Sequence, residues 1–308
     1  MTDLNFVFFL SLSVIAIGYI IKKLKIISEK EGKGIADLIL NITLPALILY
    51  TIPEVNFNPE FFFLFLICGI YSFIVLIISF FVFRNYPNKV KGIALMTVIG
   101  FNIGLFAYPL IEGIWGIAGI QHIVLFDFAN AFIIFALAYS IAAIFSPRNK
   151  EENIKINPKY IGKRLITSVP LMSFVVAVIL NLVGFRFPTF FFELLSVLSR
   201  ANMALTLLLL GIYLNFKFEK SEWGLIIKVL IIRYSFGVLI GILFFIVLPY
   251  SVLYRAILLV ALILPVGMAV VPFSVDFGYN EKLTGIIVNL TIVISFGLMW
   301  IITLIIGV

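Results

Sequence analysis

Long apolar runs separated by short polar stretches organise this chain. Cut at those interruptions, it yields ten candidate helices: Asn5–Ile21, Gly34–Ile52, Glu60–Phe83, Lys91–Gly113, Gln121–Phe145, Leu165–Val183, Phe190–Leu214, Trp223–Leu248, Tyr254–Phe273 and Leu283–Ile306. Each is long enough to cross a hydrocarbon core of about 30 Å. Runs such as Phe61-Phe62-Phe63-Leu64-Phe65-Leu66 lack the strict alternation of a membrane β-strand. The pattern therefore predicts an all-α, polytopic membrane protein.

Composition narrows the class. Hydrophobic residues make up 63% of the 308 positions and charged residues 12%, against roughly 45–50% apolar usage in a soluble domain. That balance excludes a cytosolic enzyme, a disordered tail and a nucleic-acid module. The single cysteine, Cys68, excludes an intrachain disulfide, and the single histidine, His122, read as interfacial, leaves no zinc cluster to build. No cofactor is expected. The first apolar run has no cationic segment before it and ends at Lys22 and Lys23, not at a small-residue cleavage site, so it is read as a retained span.

The formal charge of +7 is mostly an orientation signal. Seventeen cations fall in the odd-numbered loops, from Lys22 to Lys282, and only Arg186 and Arg255 lie on the opposite side. The positive-inside rule puts the odd-numbered loops in the cytoplasm and both termini outside. The longest polar stretch, Ser146–Lys163, divides the spans five and five: residues 1–145 and 165–308 with a linker at 146–164. With an odd number of spans in each half, the second half enters the membrane inverted, the precondition for an inverted-topology repeat.

The fourth span of each half is interrupted. Asn102 precedes Pro109 by seven positions, with Gly104 between them, and Pro265 precedes Pro272 by seven, with Gly267 between them. A proline lacks a backbone donor and clashes with the carbonyl four residues back, which opens the helix. Opened inside lipid, the freed groups need protein or a water-filled cavity. The alternative is an ordinary proline kink in each span. As a matched pair the breaks point to a transporter site, where restarted half-helices turn partly positive ends toward the midplane. Asn102 adds a neutral amide donor there.

Charges near span centres are Asp127, Arg200 and Arg233, while Lys228 lies nearer a span end. Each central charge costs at least about 2.5–3.5 kcal/mol on insertion scales and needs a partner or a cavity. The cationic excess favours an anionic substrate; the competing readings are an inert Asp127–arginine bridge and simple packing for Arg200. Asn41, Asn130 and Asn289 either line a substrate path or bond a neighbouring helix. There is no phosphate-binding loop of the Gly-x-x-x-x-Gly-Lys-Ser/Thr type and no His-Glu-x-x-His hydrolase motif. A secondary carrier remains, not an enzyme.

The segments Ala36 to Leu47, Asn102 to Pro109, Phe126-Asp127-Phe128-Ala129-Asn130, Leu208 to Leu214, and Leu264 to Pro272 followed by Phe277-Gly278-Tyr279 resemble the auxin efflux carrier family. Their order covers nearly the whole chain, in the manner of a short prokaryotic-type member of the wider bile acid/arsenite/auxin transporter group. The resemblance implies two inverted five-helix repeats with spans 4 and 9 crossing at their breaks. It also implies a scaffold of spans 1, 2, 6 and 7 that often dimerises, giving a homodimer. Spans 3–5 and 8–10 would move as an elevator, carrying a small organic anion. The long cytoplasmic loop of the plant carriers is absent, which shifts the expectation from auxin toward dicarboxylates. The substrate would meet Asn102, Gly104, Pro109, Asn130, Pro265, Gly267, Pro272 and Asn41. Arg200 and Arg233 would balance charge, and Asp127 would carry a proton or sodium ion. The alternatives kept open are a cation/proton antiporter and a membrane receptor or assembly subunit.

Overall fold

The computed structural model describes residues 4–55, 59–148, 158–215 and 223–307, and among them every regular element is helical. Helix α1 is Leu4–Lys23. Helix α2 (Gly32–Leu38) passes through a π-helical turn, Ile39–Thr43, into α3 (Leu44–Thr51). Pro45 lies in the first turn of α3, where its missing N–H is tolerated, and the widened turn before it gives its ring room. Next come α4 (Pro59–Val82) and α5 (Asn88–Val98).

The same device recurs after α5. A second π turn, Ile103–Ala107, leads into α6 (Tyr108–Phe132) with Pro109 in its first turn. Helix α6 breaks at Gly116, whose φ of 61° and ψ of −151° are not helical. Two contacts show that the chain doubles back there. A Cβ built on Gly119 would sit 2.7 Å from the Ile111 side chain, and the Tyr108 hydroxyl reaches Asp127 at 3.0 Å. In a continuous helix those pairs would be about 12 and 28 Å apart at 1.5 Å per residue. Residues 108–115 and 117–132 are thus the two arms of a hairpin. A third π turn, Ile133–Ala138, continues the second arm into α7 (Tyr139–Ile144).

In the second half α8 (Pro158–Thr167) and α9 (Val169–Leu182) meet at 63° across Ser168. Helices α10 (Thr189–Tyr213) and α11 (Trp223–Val247) are long and unbroken. Helix α12 (Val252–Leu262) stops short, α13 (Val270–Asp276) has only 7 residues, and α14 (Glu281–Ile306) closes the fold.

Seven described runs are long and apolar enough to cross a membrane, or eight if α8 and α9 form one bent span. The number falls below the ten expected because α5, α12 and α13 are each short, and because Ile103–Ile144 passes as one run of 42 residues although it contains the hairpin. The outer surface is apolar: Phe62, Ile70, Phe73, Ile77 and Phe81 of α4 are all exposed. A continuous face of that kind suits lipid, not water.

Helix α1 packs on α10 at the closest range backbones allow. A Cβ on Gly18 would lie 2.1 Å from the Leu208 carbonyl oxygen, and one on Gly211 would lie 2.0 Å from that of Ile15. Small residues at a helix contact maximise dispersion where no hydrophobic drive operates between helices in lipid. Helix α3 joins α10 and α9 in the same layer, and the ends of α3 and α9 are tied together. There Asn181 Nδ2 donates to the carbonyls of Ile52, Pro53 and Val55, and Arg186 donates to Pro53 O at 2.6 Å. Helices α4, α10 and α12 pack against α6, and α11 packs on α12, α5 and α4.

Candidate functional site

The two interruptions meet. After α5 the chain is extended at Ile99 (φ −107°, ψ 164°), and Gly100 turns it with φ +71°. The Asn102 N–H then donates to the Pro265 carbonyl, 2.8 Å away, in the loop between α12 and α13. Both loops lack the helical ladder, so each of their buried polar groups needs another partner.

Asn130, on the second arm of α6, holds the first break. Its Oδ1 accepts from Phe101 N at 2.8 Å while its Nδ2 donates to Phe101 O at 2.9 Å, so one carboxamide satisfies both polar groups of a single residue. Helix α14 holds the second break by the same logic with hydroxyls. Val266 N donates to Thr291 Oγ1 at 3.1 Å, Ser295 Oγ donates to Ile263 O at 2.7 Å, and Tyr234 OH donates to Thr291 O at 2.8 Å.

Arg233 binds both breaks at once. It is 1% exposed, on α11. Its Nε donates to Leu264 O; Nη1 donates to Thr97 O and Val98 O; Nη2 donates to Gly100 O, Leu264 O and Pro265 O, at distances from 2.7 to 3.4 Å. Its guanidinium also lies 4.8 Å from the centre of the Phe101 ring, within cation–π range. The approach depends on Gly237, one turn along α11, where a Cβ would meet the Leu262 carbonyl oxygen at 2.3 Å.

Asp127 pairs with neither arginine. Its Oδ2 accepts from the Tyr108 hydroxyl at 3.0 Å and its Oδ1 accepts from Asn130 Nδ2 at 3.2 Å. Beside it is a cavity of about 30 Å³ lined by Ile48, Tyr108, Asp127, Phe128, Pro170 and Phe174. That is room for a water or two, not for a dicarboxylate. The rings of Phe128 on α6 and Phe174 on α9, 4.5 Å apart between centres, form part of its wall.

Asn102 lies at the head of the first restart. Its Oδ1 accepts from Leu105 N at 3.3 Å, capping the π turn, but its Nδ2 is buried with no hydrogen-bond partner. Gly104 is partly exposed, with the side chains of Leu44 and Leu40 against it. Pro109 is buried, whereas Pro272 in α13 is exposed. Gly267 faces Ile134 and the Phe101 carbonyl.

The structure thus gathers Asn102, Asn130, Asp127, Pro265, Gly267 and Arg233 around one crossing. It leaves others outside. Asn41 is exposed and donates to Asp37 O, and Arg200 is exposed on α10, donating to Ser196 O. Asn289 accepts from Asn215 N, Lys228 donates to Tyr86 OH, and His122 is buried in edge contact with Tyr254. Sequence reasoning missed Glu112, whose Oε2 is buried without a partner on the first arm of α6. Its signal was its place three residues after Pro109, hidden by a span edge drawn at Gly113. It also passed over Asn202, fully buried on α10, whose Oδ1 accepts from Thr43 and whose Nδ2 has no partner.

Comparison with known proteins places this geometry. Over 230 residues the chain is 26% identical to a protein named as an uncharacterized transporter of Methanocaldococcus jannaschii, covering 71% of this chain and 72% of that one. A second, also named as an uncharacterized transporter, from Methanothermobacter thermautotrophicus, is 24% identical over 217 residues, 68% of each chain. Residues 4–305 match the family model described as membrane transport protein. The chain, with its paired interrupted helices, therefore belongs to the auxin efflux carrier-type family of membrane transport proteins.

Proposed function

We propose that the protein is a secondary transporter of small organic anions, carboxylates of the auxin or dicarboxylate kind, working by an elevator-type cycle in the cytoplasmic membrane. The observation that carries this reading is Asn102. A buried amide donor without an acceptor costs about 1–3 kcal/mol, and Asn102 Nδ2 lacks one at the head of a restarted helix. A carboxylate oxygen supplies that acceptor with a charge-assisted bond. Across the crossing, Arg233 already takes up carbonyl groups that a bound cation would use. That weighs against the cation/proton antiporter. Helix α13 is too short to match the first restart, so the anion rests mainly on Asn102 and the run from Ile103 to residue 115.

The wider architecture follows as part of the proposal: ten spans in two inverted halves, 1–145 and 165–308, with both termini outside. The matching breaks, each held by the following span, support it. Spans 1, 2, 6 and 7 form the scaffold of a homodimer, and spans 3–5 and 8–10 carry the substrate. Of the two coupling ions expected at Asp127, sodium is the harder to place. Both its oxygens receive hydrogen-bond donors, whereas a sodium ion needs oxygen acceptors around it.

Uptake of labelled malonate and malate into proteoliposomes tests the reading. Asn102→Ala is expected to lower flux roughly tenfold or more, the equivalent of a lost charged hydrogen bond of about 1.5–3 kcal/mol. Unchanged flux in both Asn102→Ala and Pro109→Ala defeats the assignment. Sodium-driven proton movement without any organic anion favours the antiporter instead.

A further inference from the structure

The guanidinium of Arg233 has an unusual set of acceptors. Among the described residues they are all backbone carbonyls, those of Thr97, Val98, Gly100, Leu264 and Pro265. These are the carbonyl ends of two separate helices, α5 and α12, each 11 residues long. A helix C-terminus carries about half a negative charge. Two such ends meeting in a buried place sum to about one negative charge. One guanidinium cancels it.

The alternatives for meeting that charge are water or a bound inorganic cation, since carbonyl clusters of this kind are the ligand set of hard monovalent ions. In this structure the Arg233 guanidinium stands in that place. The planar fork offers five N–H donors, and the stem is fixed by Gly237 against α12 and by the Tyr71 hydroxyl donating to the Arg233 carbonyl. Phe101, part of the first break, covers the guanidinium face.

We propose that Arg233 is a tethered countercation for the crossing, a positioning residue that holds the two carbonyl ends together so that the interrupted helices assemble without sodium. Its removal leaves a binding site for a small monovalent cation, best filled by a guanidinium ion. The inference concerns the crossing on which the transport reading rests, but it stands on these hydrogen bonds and not on the substrate.

Thermal unfolding of the purified full-length protein, with no organic anion present, tests it. The unmodified protein is expected to unfold at the same temperature in sodium chloride and in choline chloride of equal ionic strength. Arg233→Ala is expected to unfold several degrees lower. Guanidinium chloride at roughly 10 mM, far below its denaturing range, restores part of the loss saturably and leaves the unmodified protein unmoved. Arg233→Lys keeps the charge and Arg233→Met keeps the bulk, so the lysine variant is expected to be the more stable and the methionine variant the one that responds to guanidinium or sodium. Saturable sodium stabilisation of the unmodified protein overturns the proposal, and that arm reads out whether or not any variant folds. An unfolding temperature for Arg233→Ala equal to that of the unmodified protein overturns it too, as does Arg233→Met matching Arg233→Lys. Absent carboxylate flux alongside the expected unfolding results defeats the transport reading alone.

Discussion

At Asn130 one carboxamide serves both the N–H and the C=O of Phe101, and its Nδ2 also reaches Asp127. Asn130→Ala strands two buried backbone groups, each worth about 1–3 kcal/mol unpaired. Asn130→Asp keeps the acceptor for Phe101 N, loses the donor for Phe101 O, and sets a second carboxylate beside Asp127. Thermal unfolding in detergent is expected to show a loss of several degrees for both variants, the aspartate variant recovering as pH falls and its new carboxyl takes up a proton. An aspartate variant as stable as the parent at every pH would mean that the clamp does not bear on stability. Residues of this kind were legible in the sequence because a polar side chain in an apolar span must bond something. Their partners were not. Arg233 stood out as an in-span charge, yet its acceptors are carbonyls, which every residue has and no residue type announces. Asp127 was expected to meet an arginine or an ion and instead receives Tyr108, a residue whose hydroxyl reads from the sequence as one more aromatic.

Elements follow from the prolines more than from hydropathy. Pro45 and Pro109 each lie in the first turn after a π-helical segment, Ile39–Thr43 and Ile103–Ala107. Apolar periodicity located these spans but does not mark a π turn where most neighbouring positions are apolar, since the shift of face then leaves no trace in the pattern. The turn-back at Gly116 was half visible, as the gap between the fourth and fifth runs, and its sharpness comes from a φ that only glycine holds without strain. The two breaks also share a neighbour. A Cβ on Gly267 would lie 2.8 Å from Ile134 Cδ1 but 3.5 Å from its Cγ1, while one on Gly100 would lie 2.9 Å from Cγ1. Ile134→Val removes Cδ1 and keeps the inner carbon. A double-mutant cycle should therefore show Gly267→Ala destabilising by about 1–3 kcal/mol with Ile134 present and by much less in the Ile134→Val background. Gly100→Ala should lose about the same in both, since its clash and its left-handed backbone both persist. Equal coupling for the two glycines would place Ile134 elsewhere than between the breaks.

At the scale of the whole molecule, the small cavity beside Asp127 is the decisive quantity. At about 30 Å³ it admits no dicarboxylate, and the Phe128–Phe174 contact is one of its walls. Phe128 belongs to a helix proposed to move and Phe174 to one proposed to stay, so a carrier of the elevator kind has to separate these rings in each cycle. A local gate needs only a side-chain rotation. The two differ in what a tether does. In a Phe128→Cys, Phe174→Cys variant, a short thiol-to-thiol linker fixes the backbones of α6 and α9 but leaves every other side chain free. Cys68, the only native cysteine, is fully buried and does not compete for the reagent. Proteoliposome flux is expected to fall to background after linking and to return when a cleavable linker is cut. Linked protein that still transports means the backbones need not part, and a side-chain gate then replaces the moving domain. The long reach of this contact, 46 positions along the chain, also explains why hydropathy alone gave no hint of it: two phenylalanines among 33 look alike until the fold sets them face to face.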